Sequence, residues 1–206
     1  MPSGKTDVRF IGNSFSSAAA SQLTFTLSDG LTIRDNQGIQ KIQIQNADNG
    51  TISNNVFECR FGSNCLSFTT AGGGPFDYTD PADAPNDFDV TTNTFNNYNV
   101  NTNGYFISFF AGLNINFIGN RVQSAVVIDD NFVTMLTIEN VEVYLARNVF
   151  VFPSKDQGDT NGTLGINIRV NEGDVNVVAE HNTLIMGGAQ TSLNGNACLG
   201  EYDNGA

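Results

Sequence analysis

Apolar and polar residues alternate over short runs along most of the chain. The clearest block is Gly104 to Asn131. It holds Tyr105-Phe106-Ile107-Ser108-Phe109, then Leu113-Asn114-Ile115-Asn116-Phe117-Ile118 leading into Gly119-Asn120-Arg121-Val122, then Val126-Val127-Ile128-Asp129. Period-two alternation sends successive side chains to opposite faces of a strand. The block therefore predicts three short strands and sets a template for one complete, insert-free unit. No long stretch has helical periodicity, and Ala18-Ala19-Ala20 allows a single helical turn at most. The middle run ends in an apolar strand, then Asn, one residue, and an apolar residue.

That signature returns along the chain. Copies are Val8 to Phe15, Gly50 to Phe57, Phe88 to Phe95, Ile115 to Val122, Val143 to Phe150 and Val175 to Leu184. Leu31 to Asn36 reads as a degenerate copy, because Gln37-Gly38 follows it. The aligned residues are Asn13, Asn55, Asn93, Asn120, Asn148 and Asn182, at intervals of 42, 38, 27, 28 and 34. Repeats of roughly 20–50 residues point to solenoids. Each unit holds two or three β-runs and no helix, which argues against leucine-rich and helical repeats. A propeller blade needs about 40 or more residues and usually carries Trp; this chain has none.

Composition agrees. Of 206 residues 28 are Asn and 16 are Phe. Asn favours turns and tolerates the left-handed conformation, so its excess beside Val, Ile and Phe predicts short strands and many turns. The net charge is −12 and the nine Lys and Arg form no basic patch. Nucleic acid is excluded as a partner on that ground, since phosphate contacts need clustered cations. A strongly anionic substrate is repelled unless a cation intervenes. No apolar run is long enough to span a membrane.

The repeated apolar-x-apolar-x-x-Asn-x-Phe segment resembles the right-handed parallel β-helix superfamily, the pectate-lyase-like or pectin-lyase-like fold. The resemblance covers residues 8–184 and implies an all-β solenoid of about six to seven coils. It implies an Asn ladder at one corner, through Asn13, Asn55, Asn93, Asn120, Asn148 and Asn182. Stacking coils at about 4.8 Å would pile Phe15, Phe57, Phe95 and Phe150 into an inner column, with Val122 and Leu184 in the same place. The single domain 1–206 carries loop inserts at 69–87 and 152–163 and an irregular end at 186–206. Uncapped ends expose strand edges, so the expectation is a segment of a longer chain, or self-association through those ends.

The fold implies a secreted or cell- or virion-surface protein that binds, and in its stronger form cleaves, polysaccharide. Glycoside hydrolysis needs two carboxylates about 5–10 Å apart. Asp129 and Asp130 form the one acidic pair at the end of a regular run, and Arg169, in the comparable run Gly165 to Val170, is placed near Asp129. The pair is similar to the paired Asp of polygalacturonases, without that family's Gly-His-Gly or Arg-Ile-Lys; Asp-Asp-Asn is also an ordinary turn entry. Asp77, Asp80 and Asp83 offer carboxylates for Ca²⁺ or simply form a solvated acidic loop. Tyr98, Tyr105 and Tyr144 offer apolar faces with polar tips for sugar rings. Cys59 and Cys65 admit a disulfide across a turn, or two reduced thiols. The second functional class is a non-catalytic structural or adhesive solenoid, as in surface filaments, adhesins and phage fibres.

Overall fold

The computed structural model describes residues 5–16, 22–26, 28–60, 64–70, 84–98, 104–124, 133–139, 141–151, 164–170, 176–185 and 197–203. These are all strand, bridge, bend and connection. The first coil holds β1 (Lys5–Thr6), β2 (Arg9–Ile11) and β3 (Gln22–Thr26). The second holds β4 (Ser28–Asp29), β5 (Thr32–Arg34), β6 (Gln37–Ile39) and β7 (Lys41–Gln45). The third is β8 (Asp48–Ser53), β9 (Val56–Cys59) and β10 (Leu66–Thr69), and the fourth β11 (Asn86–Thr91), β12 (Thr94–Asn97) and β13 (Gly104–Phe109). The fifth is β14 (Gly112–Ile118), β15 (Arg121–Ser124) and β16 (Val133–Glu139). The sixth is β17 (Val141–Ala146), β18 (Val149–Val151) and β19 (Leu164–Val170), and the seventh β20 (Asn176–Glu180), β21 (Thr183–Ile185) and β22 (Ala197–Asp203).

Every strand pairs in parallel with its counterpart one coil away, giving three sheets. The first sheet contains β1, β4, β8, β11, β14, β17 and β20, with β2 and β5 alongside; the second runs β6, β9, β12, β15, β18, β21; the third runs β3, β7, β10, β13, β16, β19, β22. Sequence neighbours thus lie in different sheets. This arrangement is consistent with a parallel β-solenoid.

Parallel in-register stacking places like on like. The third sheet's inner column is Leu23, Ile42, Leu66, Ile107, Leu136 and Ile166. The second sheet's column runs Ile39, Phe57, Phe95, Val122, Phe150 and Leu184. The Phe57 and Phe95 rings stack at 4.3 Å between centroids. Where Val122 leaves room, Phe117 of the first sheet reaches in, 6.0 Å from Phe95 and 6.5 Å from Phe150. Offset stacks of this kind add to the burial of each ring.

Between the first and second sheets the chain turns on a ladder of amides. Among the described residues the rungs are Asn13, Asn36, Asn55, Asn93, Asn120, Asn148 and Asn182. Each Oδ1 from Asn36 onward accepts both the backbone N–H and the Nδ2 of the rung before it, at 2.8–3.3 Å. Each Nδ2 from Asn36 to Asn182 also donates to a main-chain carbonyl of the preceding coil, such as Ile52 O from Asn93 at 2.8 Å. Asn36 corrects the degenerate reading. Gln37-Gly38 does not break the corner, because a register shift between Gln37 and Ile39 absorbs the extra residue and puts Ile39 over Phe57.

The residue before each rung is left-handed in all seven: Gly12, Asp35, Asn54, Thr92, Gly119, Arg147 and His181, with φ between 52° and 69°. Gly, Asn and Asp take this conformation readily, whereas a β-branched residue does so under strain. Thr92, at φ 54°, is the strained corner. Thr92→Gly removes a strain of about 1–3 kcal/mol against roughly 0.5–1 kcal/mol of added unfolded-chain entropy. Chemical denaturation of the two proteins should show a net gain of about 1 kcal/mol. An unchanged or lower midpoint would count against the strain.

One further expectation is revised and another falls outside the described residues. The third strand described in the fifth coil is Val133–Glu139; the run Val126–Asp129 lies outside the described residues. The insert-free coil is the 19 residues from Asn36 to Asn55, not the block beginning at Gly104. Cys59 and Cys65 are disulfide-bonded, Cα atoms 5.6 Å apart, and both are buried.

Candidate functional site

Outward residues of the first sheet carry most of the polar chemistry. Six residues before a rung, coils one to five place Asp7, Gly30, Asn49, Asp87 and Asn114, all left-handed at φ 53° to 72°. From coil three to coil five these residues stack in register with one another. Coils six and seven have Glu142 and Asn176 at this offset, paired directly with each other, and neither has a positive φ. The change falls between β14 and β17, where Gly112 to Ile115 opposes Val141 to Val143 and the register shifts. Such bulges re-aim side chains and occur often beside functional sites.

A shallow depression of about 70 Å³ opens at this step, lined by Asn114, Asn116, Glu142, Tyr144, Asn176 and Val178 among others. Its polar groups are held from the flanking coils. Asn114 Nδ2 donates to Asp87 Oδ1, and Asn116 Nδ2 donates to Asp89 Oδ1 at 2.9 Å. The Tyr144 hydroxyl donates to Glu180 Oε2 at 3.0 Å. That bond, aided by desolvation and the Glu180 charge, raises the phenol above its usual range, while Arg147 opposes the shift. The site therefore combines an aromatic ring with amide and carboxylate oxygens whose positions are fixed, a set suited to hydroxyl groups.

Towards the other end of the sheet, acids and amides interlock. Asn49 Nδ2 donates to Asp29 Oδ1 at 2.9 Å, and Asn86 bonds Asp48. Asp29 and Asp48 are register partners on adjacent coils. Desolvation raises the Asp48 carboxyl above its ordinary value; the Asn86 bond lowers it, and the Asp29 and Asp87 charges add to the rise. The folded protein holds this proton more firmly than the unfolded chain. Asp48 therefore contributes stability that is present below the ordinary aspartate range and lost as pH rises through the raised value. Asp48→Asn should raise the melting temperature slightly at neutral pH, with the difference closing in acid. A constant difference across the titration would rule out this linkage.

The sequence candidates are dispersed. Asp77, Asp80, Asp83, Asp129 and Asp130 lie outside the described residues. Arg169 lies on β19, where its register partners are Glu139 and Tyr202; the run from Val133 to Glu139 occupies the place expected for Asp129's run. Tyr105 lies on β13 opposite Thr134. Tyr98 is half-buried, with the Arg60 guanidinium 4.7 Å from its ring centroid, and Arg60 Nη2 lies 3.3 Å from Glu58. One ring face of Tyr98 is thus already covered. Of the three tyrosines, Tyr144 lines the depression.

Asn114, Asn116, Glu142, Asn176 and Glu180 were not singled out by alternation alone. The signal for Asn114, Glu142 and Asn176 is the offset of six before a rung, and Asn116 and Glu180 follow at offsets of four and two once the rungs are aligned. Among the described residues no three His, Cys, Asp or Glu side chains converge as a metal site, and no helix is long and apolar enough to cross a membrane. No known family model, curated protein or solved structure matches the chain.

Proposed function

We propose that the protein is a right-handed parallel β-helix of the pectate-lyase-like type, secreted or surface-exposed, that binds polysaccharide along the outer face of its first sheet. The observation that carries the reading is the register step at Asn114, which coincides with a depression containing Tyr144 and oriented amides. A sugar presents an apolar ring face and a rim of hydroxyls, and an aromatic beside fixed amide oxygens complements both. The Cys59–Cys65 disulfide supports an oxidising compartment. Handedness follows the strong preference of parallel crossover connections.

Affinity electrophoresis through gels cast with a panel of polysaccharides tests the reading. At least one polymer should retard the protein, and Tyr144→Ala should weaken that retardation about five-fold, from about 1 kcal/mol of aromatic contact. Free migration in every gel would defeat it. The second reading, a structural or adhesive solenoid, is favoured by the unbroken register of the amide ladder, and it predicts that free migration.

A further inference from the structure

We infer that the depression at the register step selects uncharged glycans and excludes polyuronates. This rests on the glycan-binding reading above. The argument is the charge around Tyr144. Glu142 lines the depression. Glu180 holds the Tyr144 hydroxyl at 3.0 Å, and Asp87 and Asp89 hold Asn114 and Asn116. All four carboxylates belong to exposed residues. The cation that bears on Tyr144 is Arg147, so the described surroundings are net negative.

The carboxylates cannot be recruited as uronate ligands, because an ionised carboxylate only accepts hydrogen bonds. A hydroxymethyl group at a sugar's C6 can donate to Glu142 or to an amide oxygen. A C6 carboxylate meets acceptor against acceptor and charge against like charge. Asn116 and Asn114 cannot offset this fully, since each already gives an N–H to a neighbouring Asp. The bond network that orients the site is therefore also what biases its selectivity.

The test uses the whole chain and a matched pair of polymers, a polygalacturonate and the α-1,4-galactan made from it by reducing its carboxyl groups, which differ at C6. Retention should be at least about ten-fold stronger on the galactan at low salt, with the gap narrowing as salt screens the face. Glu142→Gln should raise the ratio of uronate to galactan retention about three-fold, as expected for removing one unit charge some 6 Å away in water. Glu180→Gln, which keeps an acceptor for Tyr144, should move the ratio the same way. Equal or stronger retention on polygalacturonate overturns the selectivity and leaves the glycan site standing. A ratio unmoved by both substitutions also overturns it. Retention on neither of these polymers nor on any other uncharged glycan removes the site itself, and the selectivity with it.

Discussion

Asn93→Ala should lower the folding free energy by about 3–5 kcal/mol, the range for breaking a buried hydrogen-bond network. Asn93 is 1% exposed and sits mid-ladder. Its Oδ1 accepts Asn55 N–H and Nδ2 at 3.0 and 2.9 Å, and its Nδ2 donates to Ile52 O and Asn120 Oδ1 at 2.8 and 3.0 Å. Alanine keeps the backbone bond from residue 93 to Asn120 Oδ1. It strands the buried Asn55 N–H and takes from the Ile52 carbonyl the amide donor it has beside its sheet partner. The matched control is Asn96→Ala, three residues on at a half-buried outward position, where Asn96 accepts one side-chain bond from Gln123. That change should cost about 0.5 kcal/mol. Urea titration of both variants decides the matter, and equal losses would mean that the ladder is ornamental to stability.

Gly50→Ala should be nearly as damaging, for a steric reason. Gly50 sits in the first sheet's inner column between Leu31 and Phe88 and is the register partner of Phe88. A Cβ built on Gly50 would overlap the Phe88 ring. That ring cannot simply swing away, because its edge packs on Phe68 with centroids 5.1 Å apart. Overpacking of this kind costs about 1–3 kcal/mol and sometimes more, and we expect about 3. Phe88→Ala alone should cost about 3–5 kcal/mol as a cavity. The double variant should be more stable than the sum of the two losses implies, with a coupling of about 1–3 kcal/mol. Strict additivity in the cycle would show that the ring does not occupy the space left by the missing side chain.

The parallel, repetitive architecture was legible in the sequence because stacked coils reuse one local rule. An apolar residue two after Asn, as in Asn55-Val56-Phe57 or Asn148-Val149-Phe150, marks a buried corner regardless of what lies between corners. Asn36 escaped that rule because Ile39 comes three residues later, not two, and nothing local shows that a register shift will restore it to the column. The strand Val133 to Glu139 needed pairing information for a related reason. Its alternation is short, and its register with Tyr105, Ile107 and Phe109 on one side and Ile166 and Ile168 on the other places it in the third sheet. The candidate site was harder still. Asn114, Tyr144 and Glu180 lie on three different coils, and they are neighbours only because of register. Single-residue chemistry could flag Tyr144 as an aromatic with a polar tip, but its partner Glu180, 36 positions away, is invisible until coils are aligned.

The amide corner also separates the length of the chain from the shape of its cross-section. Successive rungs are 23, 19, 38, 27, 28 and 34 residues apart, yet the bonds between them hardly vary. The 19-residue turn shows the least chain that can make one circuit, and the turn after it uses twice as many residues to close on the same corner. Everything above that minimum is free of the perimeter. The surplus can therefore change in length and composition from one turn to the next without disturbing the stack, so the scaffold can acquire new surface by lengthening one connection at a time.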